Sequence, residues 1–267
     1  MVTARDKSCF AIGCAGWSIR GEHATLFPGE DSHLARYARR LHAVELNSSF
    51  YRPHRRSTYE RWAASVPENF KFAVKAPKEI THDLRFMNAV VPLELFLEQI
   101  SGLGDRLGPI LLQLPPTMEY CRAISGRFFE VLRGRFDGAV VLEPRHVSWF
   151  SDAAERQLES FRIARAAVDP CVAPSAAEPG GWKNLAYYRL HGSPLMYESA
   201  YGAERLEGIA RRLCDCARSA ATWCVFDNTK YGAAALDALA LCDEHVPRAL
   251  EAVEMSSAAV RSAGRGG

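Results

Sequence analysis

VVLEPRH, residues 140–146, begins as an unbroken apolar run and turns charged within its last few residues, at Glu143 and Arg145. The same change recurs in VELNSSFY (44–51), KFAVKAP (71–77), LLQLPP (111–116), ARAAVDP (164–170), YYRLHG (187–192) and CVFDN (224–228). Continuous apolar runs rich in Val, Leu, Phe and Ala mark parallel strands covered on both faces. When such strands close into a barrel, their C-terminal ends converge on one mouth, where active sites are built. The polar residues that end these runs are therefore expected to share one site.

Working outward, eight strands are predicted at 9–17, 43–50, 70–75, 109–114, 139–145, 163–169, 185–191 and 222–227. Helical patterns lie between them, among them 31–42, 121–135, 151–161, 202–218 and 232–245. Asp31 or Ser32 is a candidate N-cap for the first, and Ser57 or Thr58 for the helix containing TYERWAASV. Strand six is followed by a short irregular segment. Strands alternating with helices indicate a parallel sheet, and eight units predict a single-domain (β/α)8 barrel of the TIM type over residues 8–248. The small-residue stretch 249–267 reads as a frayed tail.

Side-chain parity supports closure, because successive strand residues point to opposite faces. Val44 and Leu46 oppose Glu45 and Asn47. Phe72 and Val74 oppose Lys71, Ala73 and Lys75. Val140 and Leu142 oppose Val141, Glu143 and Arg145. Tyr188 and Leu190 oppose Tyr187, Arg189 and His191. In each strand one bulky set can face the helices while the polar set faces the interior.

Composition narrows the class of function. A hydrophobic fraction of 48% and a charged fraction of 24% are ordinary for a globular protein. A net charge of +2 gives no global field to attract nucleic acid. No apolar run approaches the roughly 18 residues of a membrane span. Met1 leads into a polar segment rather than a signal peptide, and the eight cysteines include no C-x-x-C pair. The reading is a reduced, cytoplasmic protein.

Several of these segments resemble the family called domain of unknown function 72, the YecE-like group. The matching pieces are GCAGW (13–17), VELNSSFYRP (44–53), WAASVPENFKFAVKAPKEITH (62–82), LGPILLQLPP (107–116), LEPRHVSW (142–149), YYRLHG (187–192) and VFDNTKYGAAALDA (225–238). The resemblance covers roughly residues 11–245 and implies a TIM-type barrel without implying an activity. The chain departs from the family pattern at Cys14 and Ala15, where hydroxyl residues are usual, at Pro144, and at Asp227.

The chemistry expected at the mouth follows from residue type. Glu45, Glu143, Asp169 and His191 are candidate catalytic groups, since crowded carboxylates and a histidine can divide acid and base roles. Arg145, Arg189 and Lys75 suit an anionic ligand, arginine through its planar fork. Lys75 is also a candidate Schiff-base nucleophile. Asn47, Gln113 and Asn228 can orient ligand groups, and Tyr51 and Trp149 can wall the site. The alternative role for all the charges is internal pairing, since a buried charge without a partner is costly. His82 lies in the third strand-to-helix loop and within reach of the mouth, and the loop 192–203 has the length of a lid.

The preferred reading is an enzyme acting on a phosphate- or carboxylate-bearing small molecule, with no cofactor and no metal. One rival is a metal-dependent phosphoesterase or sugar isomerase using Glu45, Glu143, Asp169 and His191. No ligand spacing such as HxH or HExxH supports it. The other is a non-catalytic nucleotide or nucleic-acid module using Arg52, Arg55 and Arg56; nucleic acid is not the favoured partner.

Overall fold

The computed structural model describes residues 10–252. Among them, ten strands form one sheet: β1 (Phe10–Ala15), β2 (Ala43–Leu46), β3 (Lys71–Lys75), β4 (Leu107–Gln113), β5 (Val140–Glu143), β6 (Ile163–Arg165), β7 (Ala167–Asp169), β8 (Gly180–Gly181), β9 (Leu185–Leu190) and β10 (Ala221–Phe226). The hydrogen-bonded order runs β7-β9-β10-β1-β2-β3-β4-β5-β6-β8, parallel throughout except for β8. The helices are α1 (His33–Ala38), α2 (Ser48–Tyr51), α3 (Arg56–Ala64), α4 (Val90–Ile100), α5 (Arg122–Arg133), α6 (Asp152–Ser160), α7 (Ala203–Ala217) and α8 (Ala233–Ala240). The result is a single-domain, nearly closed α/β barrel.

The predicted sixth strand is divided where the barrel closes. β6 pairs with β5, and the Ala166 amide still donates to the Leu142 carbonyl. One residue later β7 has changed partner and pairs with β9, with Val168 opposite Arg189. The edge of β6 that β9 leaves open is covered by β8. Gly181 makes that approach feasible: it has φ +62, and a Cβ there would lie 2.4 Å from the Ile163 carbonyl oxygen. Glu155 locks the patch by accepting from the Gly181 amide at 2.6 Å and from Arg165.

The parity read from the sequence matches the packing. Val44, Leu46, Phe72, Val74, Val140, Leu142, Tyr188 and Leu190 belong to the large core between sheet and helices. Ala43, Ala73, Leu111, Val141, Leu185, Tyr187, Trp223 and Val225 fill the barrel interior. Large interior residues from β4, β9 and β10 are matched by small ones from β2, β3 and β6. Tyr187 and Trp223 stack at 5.8 Å near the interior centre. Each fully buried Leu or Phe stabilises the fold by roughly 1.5–3 kcal/mol.

Two expectations need correction. The second strand stops at Leu46, and residues 48–51 turn into α2, which places Phe50 and Tyr51 above the strand end. α3 begins before Ser57, with Arg55 at its N-cap and no side-chain cap. Ser32, in contrast, does cap α1, accepting from the Ala35 amide at 3.3 Å. Most of the tail expected over 249–267 lies outside the described residues; residues 246–252 continue as helix.

Candidate active site

The strand ends bring three carboxylates and three cations into one cluster. Glu45 follows Val44 on β2 and Glu143 closes β5; Arg189 lies on β9, and Asp227 comes just after β10. Arg189 has no exposed surface. Its guanidinium reaches across the barrel and donates to Glu45 through Nε at 2.9 Å and through Nη2 at 2.7 Å. It also donates from Nη1 to Glu143 at 2.5 Å and from Nη2 to Asp227 at 2.9 Å. Two parallel N–H bonds to one carboxylate are the strong, directional form of this contact. Tyr187 adds its hydroxyl to Glu45 Oε2 at 2.9 Å.

These bonds set the protonation of the cluster. Burial alone would raise the Glu143 carboxyl, but Arg189 and Arg145 overcome it and hold the group well below the usual carboxylate range. Asp227 is lowered in the same way, burial being outweighed by Arg189 and by the hydrogen bond from His191. Arg189, ringed by carboxylates, is raised still further. Arg189, Glu45, Glu143 and Asp227 thus form a charged floor whose bonds are directed at one another.

Above this floor the pairing is incomplete. Arg145 uses Nη2 for Glu143 and for His191 Nε2, the latter at 3.0 Å. Its Nε is buried with no hydrogen-bond partner. A guanidinium only donates, so His191 Nε2 is the acceptor and the ring proton sits on Nδ1. That proton is donated to Asp227 Oδ2 at 3.1 Å. Gln113 donates to Glu143 at 3.0 Å. Asn47 holds its Oδ1 buried without a partner.

Lys75 closes the cluster from the end of β3. Ser49 Oγ bonds the Lys75 carbonyl at 2.7 Å, which ties α2 to β3 and seats the Phe50 ring 4.0 Å from the ammonium nitrogen. Among the described residues no carboxylate lies within ion-pair range of Lys75 Nζ. Burial, followed by the charge of Arg189, lowers this amine to about 8; Glu45, Glu143 and Asp227 offset only part of that. His82 packs edge-on to Phe50 at 5.0 Å. It lies on a π-helical turn, Glu79–Asp83, a distortion that often marks functional sites. Burial and then Lys75 lower its basicity.

Three sequence candidates lie apart from this cluster. Asp169 ends β7 but pairs outward with Arg205 of α7 at 2.6 Å. Trp149 is fully buried and donates its indole N–H to the Met118 carbonyl at 2.9 Å, so it is a core residue rather than a wall of the site. Asn228 is likewise buried and donates to Ser199 and Asp237, at 2.9 and 2.7 Å. Tyr51 stands 80% exposed over the rim. The expected lid 192–203 is stitched down: Gly192 donates to Tyr201 Oη at 3.0 Å, Tyr201 donates to Asp237 at 3.1 Å, and Lys230 pairs with Glu198. Tyr197 places its ring edge-on to His191 at 5.6 Å. Sequence reading selected Asn228 and passed over its neighbour Asp227; parity was the missed signal, because Asp227 shares a face with the interior residues Trp223 and Val225.

Among the described residues, no three His, Cys, Asp or Glu side chains converge as metal ligands. The carboxylates of the rival metal set are turned onto Arg189, and Asp169 onto Arg205. No described helix is long and apolar enough to cross a membrane.

Fold and site together define an α/β-barrel protein with a charged C-terminal mouth. The model of the family described as "Protein of unknown function DUF72" matches residues 11–259, and the chain belongs to that family. It is 28% identical to the UPF0759 protein YunF of Bacillus subtilis over 166 residues, 57% of this chain and 56% of that protein. It is 31% identical to the UPF0759 protein YecE of Escherichia coli K12 over 126 residues, 46% of this chain and 45% of that protein. The chain thus spans about half the length of the curated relatives it matches. A solved DUF72 family protein from Enterococcus faecalis superposes with a TM-score of 0.75 at 20% identity, covering 89% of this chain and 95% of that one. One from Thermotoga maritima gives 0.71 at 24% identity, covering 91% and 99%. These likenesses bear out the barrel.

Proposed function

We propose that the mouth is an active site for proton-transfer chemistry on a small molecule carrying a phosphate or carboxylate. The observation that carries this reading is the division between spent and unspent charge. Arg189 and Glu45 are satisfied and sealed, so they form the floor rather than bind substrate. Arg145, with Nε unpartnered, and Lys75, with no carboxylate in range among the described residues, are the cations left for an incoming anion. A guanidinium fork matches a carboxylate or phosphate edge.

His191 is the proton-transfer group in this reading. Asp227 orients its ring through Nδ1, the second-partner arrangement used by acid–base histidines. Its Nε2 is engaged by Arg145, so an anion that draws the guanidinium away would free Nε2 to take a proton. Gln113 and Asn47 would orient ligand hydroxyls. Among the described residues Cys14, Cys121, Cys171, Cys214, Cys216 and Cys224 are free thiols, which supports assigning the chain to the reducing cytoplasm.

The test is calorimetric titration with inorganic phosphate and with oxalate. Binding of at least one is expected, with Arg145→Gln weakening it tenfold or more. Arg127→Gln, on the outer cleft between α5 and α6, should leave it unchanged. No binding of either anion, or equal binding by Arg145→Gln, would overturn the reading.

A further inference from the structure

Lys75 is set apart from the other described lysines by what surrounds it. Lys78 and Lys230 are exposed and paired with Asp83 and Glu198. Lys71 donates to the Asp105 carbonyl at 2.5 Å, and Lys183 is exposed. Lys75 is 8% exposed, lies against an aromatic ring and, among the described residues, has no carboxylate in ion-pair range. Three acids stand in the same mouth, yet all three are committed to Arg189. A cation placed beside a carboxylate cluster but denied its bonds is not a structural ion pair. Lysines made nucleophilic by desolvation and a neighbouring cation are those that form imines.

We propose that Lys75 forms a protonated imine with a small oxo acid or oxo phosphate whose anionic group is held by Arg145. This rests on the reading of the mouth as a site for small anions, and names the substrate class as carbonyl compounds. The unprotonated amine attacks the carbonyl carbon; an N–C bond forms, and the C=O π pair goes to oxygen, which takes a proton. The nitrogen gives up a proton to leave a neutral carbinolamine. Protonation of its hydroxyl then lets the C–O bond break, and water leaves as the nitrogen lone pair forms C=N. Overall, an ammonium and a carbonyl become an iminium and water, with no oxidant or reductant required. His82 packs on the same Phe50 ring as Lys75 and feels its charge, which assigns it to pass the proton during loss of water.

The geometry also explains why the amine is reactive near neutral pH. The charged groups it feels are Arg189, which lowers its basicity, and Glu45, Glu143 and Asp227, which raise it. Burial and Arg189 prevail, leaving it at about 8, whereas an exposed lysine needs a pH near 10.4 for the same free-amine fraction.

The test incubates the full chain with glyoxylate or pyruvate and sodium cyanoborohydride, which reduces the imine to a stable secondary amine. Intact mass and peptide mapping then locate the label. A single adduct on Lys75 is expected at pH 7.5, at least tenfold above Lys71, Lys78, Lys183 or Lys230. It should be absent in Lys75→Arg and Lys75→Met, and reduced in Arg145→Gln. Labelling spread over the exposed lysines, or no adduct from either compound, would overturn the proposal. Oxalate binding measured on the same samples separates the two readings: oxalate bound without any adduct sinks the imine and leaves the anion site standing, while neither oxalate nor phosphate bound sinks both. A cooperative urea unfolding transition in Lys75→Met would show that this variant folds.

Discussion

Arg189 and Lys75 are both cations at the C-terminal ends of barrel strands, and both are buried, yet their surroundings are opposite. Arg189 is enclosed by Glu45, Glu143 and Asp227 and is held more firmly charged than a free arginine. Lys75 faces Phe50, bonds none of those acids and is held less firmly charged, at about 8. The difference teaches that burial does not mark function by itself. What separates a structural cation from an available one is whether the buried acids have already been claimed. Arg189 claims them because its fork spans several acceptors at once, which an ammonium on a shorter reach does not do.

The largest expected effect breaks the Arg189 side. Arg189→Met would leave three acids buried against no central counter-charge, a loss on the order of 3–5 kcal/mol or failure to fold. Urea denaturation and soluble yield check it, and Arg189→Lys should recover only part. In the parent protein the lowered Glu143 and Asp227 contribute stability that is present above their unfolded values, near pH 4. It is lost as pH falls through their lower folded values. A parent whose stability began to drop at pH 6 would contradict that pairing.

Lys75 gives a smaller effect of opposite sign. Its amine is lowered on folding, so between about pH 8 and 10.4 the unfolded chain binds more protons than the folded one. Stability rises with pH across that window, and the penalty is complete below about 8. Lys75→Met should therefore stabilise the protein at pH 7 by about 1–2 kcal/mol, the gain fading toward pH 10.4. Unfolding midpoints at pH 7 and pH 10 decide this; an equal gain at both would point to packing rather than charge.

Arg56 sharpens the comparison from the surface. It is half-exposed and pairs with Glu60 at 3.0 Å one helical turn away. Arg56→Ala should change stability by no more than about 0.5 kcal/mol, with that difference vanishing in high salt. A larger loss would mean that exposed cations here do structural work comparable with Arg189.

Much of the site was legible because strand parity is local. Once Val44 and Leu46 face the helices, Glu45 must face the interior, and the same holds for Glu143 and Arg189. What escaped was where strands end and where they change partner. Trp149 looked like part of an aromatic wall, but it sits in the short turn Val147–Phe150 and packs inward with its N–H on Met118. Asp169 had the right position on its strand. That strand leaves β5 for β9 within one residue, and its carboxylate turns to Arg205 on α7. No periodicity in the sequence reports such a change of partner. The loop 192–203 read as a lid because of its length, whereas its anchors, Asp237 and Asn228, come from a helix and a strand end further along the chain.

By itself the sequence determined that this chain alternates strands and helices, that it closes a parallel barrel, and that acids, amides and bases gather at one end. Those properties follow from periodicity and burial within short windows. Only the tertiary structure decided which charges cancel. The bonds joining Arg189 to Glu45 span 144 residues and the one to Glu143 spans 46. Pairing is a matter of distance in space and of guanidinium geometry, neither of which is encoded in any single segment. That is why Arg189, Arg145 and Lys75 read alike as strand-end cations, and why only the fold makes the first a fully paired strut while Arg145 Nε stays unpartnered and Lys75 faces the Phe50 ring.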